Sequence, residues 1–111
     1  MDKTVNAAVG TVNLGSIEKV PLGQGRCYIV GREDVAVFRQ RDGQLFASQN
    51  LCPHKQGPLS DGIIGAGTVI CPLHFQKFDL RSGAGSERHE CLKTFAVRER
   101  NGEIILDLDS N

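Results

Sequence analysis

The chain has no tryptophan and a single tyrosine, and aromatic residues make up only 5% of its 111 positions. It has no excess of charge either: 13 Lys+Arg balance 13 Asp+Glu, giving a formal net charge of zero. With no basic run and few rings to stack on bases, the sequence carries no footprint for nucleic acid. No stretch approaches the ~20 apolar residues of a membrane-spanning helix. The N-terminus, MDKTVNAAVGTVNLG, also lacks the apolar core of a signal peptide. The chain therefore reads as soluble and cytoplasmic, with neither nucleic acid nor membrane among its partners. In that reducing setting its four cysteines read as metal ligands or buried small side chains, not disulfides. A nucleophile, an acid–base dyad and a dinucleotide fingerprint are missing too. The glycines of LGQGRC lack a strand–turn–helix context and read as a plain turn.

Apolar residues at a helical period are also lacking. Short period-2 segments separated by turn dipeptides take their place. Residues 26–30 (RCYIV) and 34–39 (DVAVFR) read as strands. Asp42-Gly43 then turns into QLFAS. Near the end, 93–99 and 103–108 flank Asn101-Gly102, a strong hairpin signal. In the last segment Ile104, Leu106 and Leu108 share one face, while Glu103, Ile105 and Asp107 share the other, as in a half-buried strand. With 13 glycines and many short strands, the expected class is all-β, an antiparallel sandwich or barrel. The length fits one domain over 1–111, with a Gly/Pro-rich subdomain of loops at about 50–85 inserted into the β framework.

That insert holds Cys52-Pro-His54 and Cys71-Pro-Leu-His74, separated by residues 55–70. The same thiol–imidazole pair occurs twice, in the same order and each time beside a proline, which points to a metal site. Cys27, in a strand, and His89 and Cys91, in a polar connection, read as structural. Mononuclear zinc accepts two Cys and two His, but its usual arrangements pair like with like in each loop. Mixed pairs on two opposed loops suit a dinuclear centre, with both thiolates on one metal and both imidazoles on the other. Zinc remains the alternative, as a non-redox binding module.

Cys-x-His, a spacer and Cys-x-x-His resemble the ligand pattern of Rieske [2Fe–2S] domains, in which two His replace two Cys on one iron. The resemblance covers most of the chain and implies that Cys52, His54, Cys71 and His74 ligate one such cluster. Pro53, Pro58 and Pro72 would stiffen the ligand loops. High-potential members join the two loops by a disulfide; the matching positions here are Gly57 and Leu73. They also place a Ser and a Tyr after the second His, whose hydroxyls bond sulfur; the matching residues are Gln76 and Phe78. Fewer donors imply a potential near the bottom of the Rieske range, about −150 mV.

Within the family, CPHKQGPLSDGIIGAGTVICPLHFQKFDLRSG resembles the small subunit of assimilatory NAD(P)H-dependent nitrite reductase. Lys55-Gln56 after His54, the KFDLRSG turn and the single Cys91 carry that likeness. The resemblance implies an electron-transfer subunit with no catalytic site of its own, serving a large flavin/sirohaem subunit that takes nitrite to ammonium in nitrate assimilation. The alternative is a free-standing ferredoxin between the reductase and oxygenase of an aromatic-ring dioxygenase system. Leu59, Leu73, Phe75 and the prolines are expected to form an apolar collar around the imidazoles.

Overall fold

The period-2 segments become the strands of a curled sheet. The computed structural model describes residues 4–5, 10–53, 57–72, 75–86 and 91–108. In chain order the strands are β1 (Thr4–Val5), β2 (Thr11–Ser16), β3 (Gln24–Val30), β4 (Glu33–Arg39), β5 (Leu45–Gln49), β6 (Ile63–Gly65), β7 (Thr68–Ile70), β8 (Lys77–Asp79), β9 (Thr94–Arg100) and β10 (Glu103–Asp107). Two 3-10 turns, Ile17–Lys19 and Leu59–Asp61, complete the described elements. Seven strands form one sheet in the order β1-β3-β4-β5-β9-β10-β2, and β6-β7-β8 form a second. All pairings are antiparallel except the parallel β1–β3 contact. The all-β expectation holds, and the sheet curls into a half-barrel.

One core cluster demonstrates the curl. Val12 and Leu14 from β2 at one end of the strand order meet Tyr28 and Val30 from β3 near the other, together with Val35, Val37, Ile104 and Leu106. A flat sheet could not bring its two ends onto the same side chains. The second cluster lies on the outer face of β4 and β5, where Ala36, Phe38 and Phe46 meet the inserted unit through Leu59, Val69, Cys71, Phe78 and Leu80.

This two-sided packing explains the DVAVFR segment. Val35 and Val37 enter the barrel core while Ala36 and Phe38 enter the other, and all four are fully buried. A strand covered on both faces needs an unbroken apolar run. Each of the larger side chains contributes roughly 1.5–3 kcal/mol relative to leaving it in water.

The terminal hairpin follows its turn signal. Asn101 (φ 55°) and Gly102 (φ 79°) are both left-handed, as a two-residue type I′ turn requires. The half-buried reading of the last strand holds for its core face, where Ile104, Leu106 and Leu108 pack together, but not for Ile105. Ile105, expected on the open face, is as buried as Ile104 and Leu106. β10 is paired on both edges, by β9 and by β2. Its register with β2 slips at this point, with Gly15 opposite Ile104 and Asn13 opposite Ile105. The extra residue at this slip is Leu14 of β2, so the alternation along β10 itself continues through it. The strand β2 itself has no counterpart in the sequence reading.

Candidate metal centre

The chain leaves β5 into the first of two matching loops. Asn50 N–H donates to Asp34 O at 2.8 Å, Leu59 N–H to Asn50 O at 2.6 Å, and Cys52 N–H to Gly57 O at 2.9 Å. A bridge joins Leu51 to Pro58 between them. The second loop extends the β7–β8 pair: after Ile70 opposite Lys77, Cys71 N–H donates to Gln76 O at 2.9 Å. Each loop thus opens on a cysteine whose N–H is closed onto the carbonyl five residues later. Alternation then places both thiols on the inner side. Cys52 and Cys71 are fully buried, while Leu51 and Lys77 face outward.

Gly62 brings the two loops together. A Cβ added there would overlap the Ile70 carbonyl oxygen and lie 3.0 Å from Leu59 O. The turn after the first loop is therefore pressed onto the strand that leads to Cys71. Gly25 does the same for the whole inserted unit, since its Cβ would lie 2.7 Å from the Phe38 ring and 3.0 Å from Ser60 O. Gly25 is thus more than part of a turn, because the insert rests on β3 at this point. A glycine inside a strand is the sequence signal for such a close approach.

Cys52 and Cys71 belong to one buried cluster, and neither is in a disulfide. The other two ligands expected from the sequence, His54 and His74, lie outside the described residues, as do Lys55, Gln56, Leu73 and His89. Two inward thiols at the heads of matching loops fit the sulfur half of a Rieske donor set, because thiolate is a soft ligand suited to iron–sulfur clusters.

Around the thiols, Asn50 is buried and accepts Ser60 N–H on Oδ1 at 2.9 Å. Gln76 is buried beside Cys71, and Phe78 is fully buried. The collar expectation is corrected in part. Leu59 is fully buried in the core and cannot ring a surface site, whereas Pro53, Pro58 and above all Phe75 are exposed. Phe75 is 73% exposed and left-handed at φ 60°, its N–H donating back to Cys71 O at 2.9 Å. A bulky residue in that region is uncommon and costs of order 1–3 kcal/mol.

Of the remaining cysteines, Cys27 is half-buried on β3 opposite Ala36, and Cys91 is exposed, bridged to Ala84. The turn after β8 is pinned by Asp79, whose Oδ2 accepts Ser82 N–H at 2.8 Å. Bonds from the Ser82 backbone and side chain hold its carboxyl below the usual range. Such a depressed carboxylate adds stability above its unfolded pKa and loses it as pH falls through the folded one.

A family profile for the Rieske-like [2Fe–2S] domain matches residues 11–107. The anthranilate 1,2-dioxygenase ferredoxin subunit of Burkholderia cepacia is 33% identical over 97 residues, 86% of this chain and 89% of that protein. Among solved structures, the E. coli protein NirD superposes with a TM-score of 0.80 at 29% identity, covering 89% of this chain and 96% of that one. A protein assigned as an NADPH nitrite reductase small subunit gives 0.79 at 30% identity, covering 86% of this chain and 96% of that one. No helix among the described residues is long and apolar enough to cross a membrane. Matching thiol loops, a half-barrel and these relatives converge: the chain belongs to the Rieske-like [2Fe–2S] domain family, whose cofactor is a Rieske cluster and whose work is electron transfer.

Proposed function

We propose that Cys52, His54, Cys71 and His74 hold the cluster and that the chain is the electron-transfer small subunit of an NAD(P)H-dependent nitrite reductase. Its partner would be a large flavin/sirohaem subunit. The pair of inward thiols at the heads of two matching loops supports the ligand assignment. Held by these four residues, a cluster would supply one-electron redox chemistry, and the chain's part would be the scaffold for it. The Cys52–Gly57 and Cys71–Gln76 closures would keep the sulfur ligands still in both redox states. The buried Phe78, Leu59 and Val69 would exclude water from them. The small-subunit likeness at 29–30% identity over nearly the whole length of both partners supports the nitrite reductase partner.

A second reading is favoured by a different observation. The 33% identity to dioxygenase ferredoxin subunits supports a shuttle between a reductase and a ring-hydroxylating oxygenase. The two readings separate in a reconstitution assay. NAD(P)H-driven reduction of nitrite by the large subunit, purified alone, rises when this chain is added if the first is correct. Turnover restored only with an aromatic-ring oxygenase and its reductase establishes the second.

Phe78, with no hydroxyl to offer sulfur, leads to a first prediction. The protein titrates as a one-electron couple near the bottom of the Rieske range, about −150 mV. A clearly positive midpoint in potentiometric titration contradicts it.

The exposed ring of Phe75 leads to a second. Exposed aromatic anchors carry a large share of docking energy, so Phe75→Ala weakens binding of the large subunit by about tenfold, roughly 1.4 kcal/mol. The midpoint potential stays unchanged. Unaltered binding by calorimetry removes Phe75 from the interface.

A further inference from the structure

The two ligand loops differ in what holds the residue just ahead of the cysteine. In the second loop that residue is Ile70, the last of β7, which lies opposite Ile63 of β6 on one side and Lys77 of β8 on the other. A strand on each side serves its main chain. In the first loop the matching residue is Leu51. Leu59 N–H donates to Asn50 O and Cys52 N–H to Gly57 O, so the Leu51–Pro58 bridge between them is a non-hydrogen-bonded pair. Pro58 has no N–H to offer in any case. The Leu51 carbonyl therefore points away from Pro58, to a side on which no described strand pairs with it.

A side chain takes that place. Gln49 N–H donates to Lys93 O at 2.8 Å, and Lys93 N–H donates back to Gln49 Oε1 at 2.8 Å. Gln49 Nε2 then donates to Leu51 O at 2.7 Å. The Lys93 N–H calls for the amide oxygen on its side, which turns the nitrogen toward Leu51. One carboxamide thus spans from the residue before β9 to the peptide unit that leads into Cys52. That unit is planar, and it is held at its carbonyl by Gln49 and at its N–H by Gly57 O. We propose that Gln49 is a positioning residue for Cys52, doing with one carboxamide what β6 does for Cys71. Its bond to the Leu51 carbonyl resists rotation of the peptide from which the Cys52 side chain departs, and so keeps that thiolate aimed inward. This rests on Cys52 being a cluster ligand.

The test is the rate at which cluster-loaded protein bleaches in an iron chelator without oxygen, with folding followed by circular dichroism. Gln49→Met keeps the length and removes both side-chain bonds. Gln49→Glu keeps an acceptor for Lys93 N–H but, once ionised, has no donor for Leu51 O. Both variants, still folded, are expected to lose the cluster about tenfold faster than wild type. That is the low end for partners outside the ligand set, because this bond reaches the ligand through a peptide unit. The pair separates positioning from bracing. If the tie to Lys93 were what mattered, Gln49→Glu would release at the wild-type rate while Gln49→Met did not, and that result overturns the inference. Wild-type rates in both variants overturn it too. Where Gln49→Met fails to fold, Gln49→Glu decides. A wild type that takes up no cluster on reconstitution overturns the ligand assignment beneath, which is a distinct result.

Discussion

Replacing Cys71 with serine is expected to abolish cluster binding while leaving the barrel folded. Losing an outer partner of a metal ligand typically costs ~10–100-fold in affinity, so losing a thiolate outright should cost at least about a hundredfold. The visible absorbance and the bound iron would disappear together. The side chain is fully buried within the second core cluster. A hydroxyl there without a good partner costs about 1–3 kcal/mol, too little to unfold a domain of typical stability. Circular dichroism should therefore remain that of a β protein as the iron is lost. Iron content equal to wild type in Cys71→Ser contradicts the ligand assignment. Loss of fold and iron together would make the cysteine a packing residue first.

Gly62→Ala is expected to have a large effect although Gly62 is not a ligand. Its new methyl would overlap the Ile70 carbonyl oxygen, and Val69 Cγ2 stands only 3.1 Å away. The carbonyl belongs to a paired strand and cannot swing aside as a flexible side chain could. Overpacking of this kind reaches about 3 kcal/mol, which lowers Tm by roughly 10–15 °C in a chain of this length. Function should fall with stability, because the same contact seats the first loop's exit on the strand leading to Cys71. A variant with wild-type Tm and full iron content would show that the loops do not depend on this approach.

The parts of the fold legible in the sequence are those set by local chemistry. Asn101-Gly102 fixed its own turn, and Val35–Phe38 announced burial by being apolar at every position. The two Cys/His motifs point to a centre because ligand spacing is a local property, and their two cysteines share one buried cluster. Other features depend on contacts between distant segments. Strand β2 carries little apolar signal beyond Val12 and Leu14, and it is recruited by pairing with β10. The burial of Ile105 comes with a register slip between two strands that are remote in sequence. Gly25 looked like a turn residue because its reason, the Phe38 ring and the Ser60 carbonyl, lies elsewhere in the chain. Leu59 looked like part of a surface collar because it follows an exposed proline, yet the Leu59–Asp61 turn aims it into the core.

The central claim is that this chain carries a cluster ligated by two thiolates and two imidazoles. An EPR spectrum of the dithionite-reduced protein, with iron and zinc quantified on the same sample, tests it most directly. The account predicts a rhombic signal of low average g and two irons per chain, as imidazole ligation of one iron of a [2Fe–2S] centre requires. An EPR-silent protein holding zinc, or one that takes up no metal on anaerobic reconstitution, would contradict it.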